Sequence, residues 1–195
     1  MLPQAYFLAA VTLLTVVSFA SNQTSHCMSR ADAQQVADNY QNLQTQFTEA
    51  LVNASLSEGF ALYSDSTNEL LNGGCDGPVL MGALTYSSRD AFVADQVQLP
   101  QLPFYQFGLW HTCKLVVLRW RFFKAPLIIT GIMALETVPA PPNATFPWLI
   151  ETAYSEFDSG SYLVGLGFLI PDCNSNGTPQ YSRKRKALPR IGHVI

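Results

Sequence analysis

The chain has 195 residues, 48% of them apolar, which suffices for one domain with a sizeable core and is short for two. Its formal charge of −3 hides an uneven split: residues 21–170 carry six basic against thirteen acidic side chains, and five of the eleven basic residues lie in the last fifteen positions. A body this acidic argues against nucleic-acid binding.

Tyr6 to Phe19 is an apolar block of signal-peptide length, and Ser18-Phe19-Ala20 puts small residues where a signal peptidase cuts, so residues 1–20 read as a leader cleaved after Ala20. No Lys or Arg precedes the block, which leaves an uncleaved anchor as the alternative, although the block is shorter than a bilayer span. Four cysteines follow, Cys27, Cys75, Cys113 and Cys173, and an even count in an exported chain favours two disulfides in one of three pairings. None is spaced as C-x-x-C, so no zinc site is expected. Sequons at Asn22, Asn53, Asn143 and Asn176 sit in stretches that read as termini or turns, where glycans are tolerated. Together these features indicate a eukaryotic secretory route and no stable membrane insertion.

Ser29-Arg30-Ala31-Asp32 starts the first helix, with Ser29 as N-cap and Asp32 able to reach back as in a capping box. Val36, Tyr40, Leu43, Phe47 and Leu51 then form one apolar stripe over about four turns. A short turn is expected over 54–59, then weak strands around Leu62 and Leu80, separated by the turn-forming run Asn72 to Pro78. Ser88 caps a further helix over 90–98, which Pro100 and Pro103 end.

Phe104 to Val138 reads as long neighbouring strands. Within it Val116, Leu118, Trp120 and Phe122 share one face and Val117, Arg119 and Arg121 the other, with His111 and Cys113 of the same strand parity as the second set. In Leu127 to Val138 both faces are apolar enough to be covered. Pro139 to Thr145 is a proline-stiffened hairpin tip, Phe146 to Phe157 returns antiparallel, and Asp158 starts a last helical turn. From Pro171 the composition turns polar, so residues 171–195 read as a disordered basic tail, leaving 21–170 as the domain. The run Arg183 to Lys186 fits a solvated tail or a kexin-like cleavage site, with a nuclear signal as the alternative.

Helices followed by a curved sheet, together with Cys27-x-Ser-x-Ala-Asp32, Tyr63-Ser-Asp-Ser66, Ser88-Arg-Asp-Ala-Phe92, His111-Thr-Cys113, Leu118-Arg-Trp-Arg-Phe122, Gly131-Ile-Met-Ala-Leu-Glu136 and Ala153-Tyr-Ser-Glu-Phe157, resemble the secreted fungal nuclear transport factor 2-like proteins over about Cys27 to Gly167. That fold is shared by scytalone dehydratase, ketosteroid isomerase and the SnoaL polyketide cyclases. The resemblance implies an α+β architecture: three N-terminal helices packed on a strongly curved antiparallel sheet, a cystatin-like cone with a pocket inside. It also implies a Cys27–Cys113 bridge, with Cys75–Cys173 as the second.

Cones of this kind work by acid–base chemistry, so Asp65, with Tyr63 two residues earlier, and His111 are the catalytic candidates. The bland alternatives are a capped polar turn at Asp65 and a structural histidine beside a disulfide. A scytalone dehydratase-like site would want a second histidine, but His26 and His193 lie outside the motifs. Tyr105, Trp110, Trp120 and Tyr154 are candidates to line a pocket for a flat aromatic guest, or are simply core. Arg119, Glu136, Glu151 and Glu156 are placed for cross-strand ion pairs. No phosphate loop, nucleophile elbow or metal-ligand cluster is present in the sequence, so no cofactor is expected. The functional expectation is a secreted cone that holds a small apolar or aromatic metabolite. The alternative is a cofactor-independent dehydratase, isomerase or cyclase of fungal polyketide-type secondary metabolism, and a third reading is homodimerisation through the sheet.

Overall fold

The computed structural model describes residues 27–71, 82–99, 101–124, 127–165, 172–173 and 179–180. The expected leader, the turn run 72–78 and most of the tail lie outside them, as do Asn22, Asn176, Cys75 and hence the second disulfide.

The first helix, α1 (Arg30–Thr45), opens on the capping box its sequence encodes: Asp32 N donates to Ser29 Oγ at 3.2 Å and Ser29 N to Asp32 Oδ2 at 3.0 Å. Val36, Tyr40 and Leu43 are buried along it. The stripe was expected to continue through Leu51 in one helix, but the helix stops at Thr45. Thr48 starts a new helix by accepting from Leu51 N at 3.1 Å, so Phe47 falls in the linker and Leu51 in α2 (Glu49–Ser55). Both still pack on the core, which is why the apolar spacing survived the break.

The turn expected over 54–59 is instead the end of α2 and the start of strand β1 (Leu56–Tyr63), anchored by fully buried Leu56 opposite Ile150. Helix α3 (Asp65–Leu71), strand β2 (Leu84–Tyr86) and helix α4 (Arg89–Gln96), capped by Ser88, complete the N-terminal half. Among the described residues four helices, where three were expected, therefore precede the main strands.

Those strands are β3 (Phe104–His111), β4 (Leu115–Lys124), β5 (Leu127–Pro139) and β6 (Trp148–Phe157), followed by helix α5 (Ser159–Gly165). The six strands form one sheet in the order β2-β1-β6-β5-β4-β3. It is antiparallel except that β1 lies parallel to β6, a pairing between segments about ninety residues apart. In the segment expected to be a disordered tail, β7 (Asp172–Cys173) and β8 (Pro179–Gln180) pair antiparallel.

The inner face carries the core. Val116, Leu118, Trp120 and Phe122 of β4 are all buried, in line with their alternation, beside Ile129, Met133 and Leu135 of β5 and Ile150 and Ala153 of β6. The apolar residues of α1 and Phe92 of α4 belong to the same cluster. Each such fully buried side chain contributes about 1.5–3 kcal/mol. The outer face of β5 was expected to be covered too, yet Ile128 and Ile132 are 53% and 56% exposed. The helix residues that join the core, from α1, α2, α4 and α5, pack against the other side of the sheet.

A disulfide joins Cys27 and Cys113, and Met28 N donates to Cys113 O at 3.1 Å beside it, tying the start of α1 to the β3–β4 hairpin. Among the described residues no helix is long and apolar enough to cross a membrane.

Candidate functional site

A register shift at Phe107 decides which side chains meet. Tyr105 pairs with Arg121, whereas beyond the shift Gly108 pairs with Arg119, Trp110 with Val117 and His111 with Val116. Since one extra residue reverses side-chain parity, Tyr105 and Trp110 both emerge on the outer face and His111 is turned to the side of buried Val116. The expectation that His111 shares a face with Val117, Arg119 and Arg121 is thereby corrected. His111 ends its strand half-buried, its Nδ1 3.2 Å from Thr112 O.

The catalytic candidates are not brought together. Tyr63 lies on the outer face, its ring stacked on Tyr154 at 5.3 Å. Asp65 is the first residue of α3, and its Oδ1 accepts from Gly82 N at 2.6 Å. His111 ends β3, four strands away from β1, which is roughly 19 Å along the sheet at about 4.8 Å per strand. No shared proton-transfer geometry joins His111 to Asp65.

Glu156, placed by sequence among the cross-strand ion pairs, is used differently. Its carboxylate accepts from Asp65 N at 2.8 Å, Ser66 N at 3.0 Å and Ser66 Oγ, so it caps α3 from the neighbouring strand. Arg119 and Arg121 are left without a carboxylate partner among the described residues, and their guanidiniums sit 4.7 and 5.9 Å from the centre of the Phe107 ring. The ion pairs expected for Arg119 with Glu136, Glu151 or Glu156 do not form. Glu136 and Glu151 are exposed.

The four expected pocket aromatics also part. Trp110 and Tyr154 stand on the outer face, 58% and 42% exposed. Trp120 is buried in an aromatic cluster at the end of the sheet where β3 begins and β4 ends. It is stacked on Phe104 at 4.9 Å and Phe122 at 5.7 Å, with Phe157 at 5.7 Å and Tyr162 edge-on to Phe122 at 5.5 Å. Burial raises the pKa of the Tyr162 phenol. The indole Nε1 of Trp120 is buried and has no hydrogen-bond partner, a cost of about 1–3 kcal/mol.

Beside this cluster is a half-open depression of about 210 Å³ lined by exposed Tyr105, Arg121, Phe123 and Ile128 and by buried Phe122. A second, open groove of about 630 Å³ lies at the opposite end of the sheet, between the α2–β1 junction and the β5–β6 loop. These two hollows lie toward opposite ends of the strands, while the described residues at the middle of the inner face are packed side chain against side chain. Phe107 and Arg121 were not singled out by sequence reasoning as site residues. Their meeting depends on the register shift, for which the sequence has no local signal. Among the described residues no three His, Cys, Asp or Glu side chains gather as metal ligands.

A layer of helices on one face of a curved, mostly antiparallel six-stranded sheet is the architecture of the NTF2-like cone. The model of the NTF2-like domain matches residues 26–169, and the chain belongs to that family. No curated protein matches it. Among solved structures, it is similar to TsrD from Streptomyces laurentii, with 12% identity, 73% of this chain and 99% of that one covered, and a TM-score of 0.48. A SnoaL-like protein of unknown function from Burkholderia thailandensis shows 12% identity over 67% and 98%, at 0.47. A de novo designed protein with a curved β-sheet shows 12% over 72% and 97%, at 0.46.

Proposed function

We propose that this chain is a secreted, non-catalytic binding protein for a small aromatic carboxylate, held at the aromatic end of the cone. The observation that carries this reading is Arg121, a guanidinium without an acid partner among the described residues, on the wall of an otherwise aromatic and aliphatic depression. At about 210 Å³ the depression is below the usual 300–1,000 Å³ of larger ligands, so it suits one ring with an edge left to solvent. Tyr105, Phe122 and Phe123 supply ring faces and edges, and the guanidinium fork matches a carboxylate. Passage through the secretory pathway is supported by the apolar leader, the even cysteine count and the sequons.

The enzymatic alternative has less support. Its residues lie on separate elements, Asp65 held at a helix start and His111 at the far edge of the sheet. The test is to purify the protein from a eukaryotic secreting host, denature it and analyse the released small molecules by mass spectrometry. A one-ring aromatic acid, in excess over an Arg121→Met control purified alongside, is the expected result. Equal release from both proteins, or release only of compounds lacking an acid, refutes the reading.

A further inference from the structure

The second groove, the one of about 630 Å³, carries an observation that the proposed function does not use. It is lined by both Asn53 and Asn143, residues ninety positions apart that each begin a sequon, Asn53-Ala54-Ser55 and Asn143-Ala144-Thr145. Asn53 stands exposed on α2. Asn143 stands exposed in the β5–β6 loop with φ of 68°, a left-handed conformation that Asn tolerates better than most residues. Between them the groove offers Pro139 and Pro141 as apolar walls, and Glu58 and Arg89 as charged groups. Among the described residues the Arg89 guanidinium donates only to Leu56 O, at 3.5 Å. The register between β1 and β6 shifts between Leu56 and Ala61, so this stretch of β1 is not held by regular pairing to β6.

A groove with proline walls, a guanidinium and a carboxylate suits a sugar ring bearing an acetamide. Proline faces pack on the ring's C–H edges, and the polar groups meet its hydroxyl and carbonyl oxygens. We propose that the groove is the seat of the chain's own N-linked glycan. In this arrangement the first N-acetylglucosamine on Asn143 lies against Pro139 and Pro141 and reaches Arg89, while the glycan on Asn53 covers the opposite rim. In the attachment step a bond forms between Asn143 Nδ2 and C1 of a polyprenyl-diphosphate-linked oligosaccharide. The C1–O bond to the diphosphate breaks, and the amide loses one proton. This inference rests on the secretory reading but is independent of the aromatic depression at the other end.

The experiment compares the protein secreted from a glycosylating host and trimmed enzymatically to one sugar per site with Thr145→Ala, which removes the sequon and keeps Asn143. Occupancy is read by glycopeptide mass spectrometry and groove protection by amide hydrogen exchange over 56–59. The expected result is a sugar on Asn143 and exchange at 56–59 roughly three- to tenfold slower than in T145A, what one net hydrogen bond is worth. Asn143→Asp, which tolerates the same backbone, should match T145A and covers the case in which T145A folds poorly. A sugar on Asn143 with unchanged exchange overturns the seat while leaving secretion intact. An occupied Asn53 with a bare Asn143 also overturns it. Bare asparagines at every sequon overturn the seat and the secretory reading together.

Discussion

Gly131 is the position at which the geometry of the aromatic cluster can be tested most sharply. It lies opposite Trp120 in the β4–β5 register, and a Cβ there would sit 2.5 Å from Trp120 Cζ2, 2.6 Å from Cε2 and 2.7 Å from Glu156 O. Ordinary carbon contacts are about 3.5–4.0 Å, so Gly131→Ala demands that something retreat by about 1 Å. The indole cannot retreat freely because Phe104 and Phe122 stack against it, and the Glu156 carbonyl is backbone of the neighbouring strand. The cost should reach the upper end of the overpacking range, about 3 kcal/mol, which for a domain of this size lowers Tm by roughly 6–12 °C. Thermal unfolding by circular dichroism, with the disulfide kept oxidised, measures it. Adding Trp120→Phe to G131A should recover part of the loss but not all, because the clash with Glu156 O remains. A Tm for G131A within 1 °C of wild type would refute the reasoning.

Three further outcomes are expected. Replacing Cys27 and Cys113 together by serine removes a cross-link with a sequence separation of 86, worth about 4.5 kcal/mol in the chain-entropy model; a urea midpoint unchanged from wild type would contradict this. Glu156→Ala frees the three donors at the start of α3 and should cost about 1–3 kcal/mol. Its signature is faster amide exchange confined to α3, and uniform loss of protection would speak against a capping role. At alkaline pH, burial holds the phenols of Tyr40 and Tyr86 protonated beyond their ordinary range, with the charge and hydrogen bond of Asp95 adding to the effect at Tyr86. Folded pKa values above the unfolded value of about 10 mean stability that is complete below pH 10 and lost as pH rises beyond it. Phenolate absorbance should therefore finish developing only as the fold is lost. Complete ionisation of every tyrosine of the secreted chain, seven once the leader with Tyr6 is removed, before any change in circular dichroism would exclude this.

What was legible in the sequence was what depends on neighbours within a turn or along one strand. The Ser29–Asp32 box, the Ser88 cap and the buried face of β4 follow from local spacing, and the structure has each of them. What was not legible depends on pairing at a distance. A helix start at Asp65 capped by Glu156 has no local signature, because the acceptor comes from β6. The same holds for the parallel β1–β6 pair. The register shift at Phe107 is a single extra residue, yet it moves Trp110 outward and His111 inward, undoing a parity argument that was sound for an unbroken strand. At Thr48 the apolar stripe ran on although the helix did not. Both halves face one core, so a hydrophobic period cannot reveal the break.

The account's central claim is that Arg121 and the rings around it hold a small aromatic acid. A ¹H–¹⁵N NMR titration of the wild-type chain with benzoate, repeated on Arg121→Met, tests it most directly. The account predicts saturable shifts at Tyr105, Arg121 to Phe123 and Ile128, reaching the Trp120 indole through stacked Phe122, and affinity lowered roughly tenfold or more in the variant. Shifts that persist unchanged in R121M, or that gather around His111 and Asp65 instead, would contradict it.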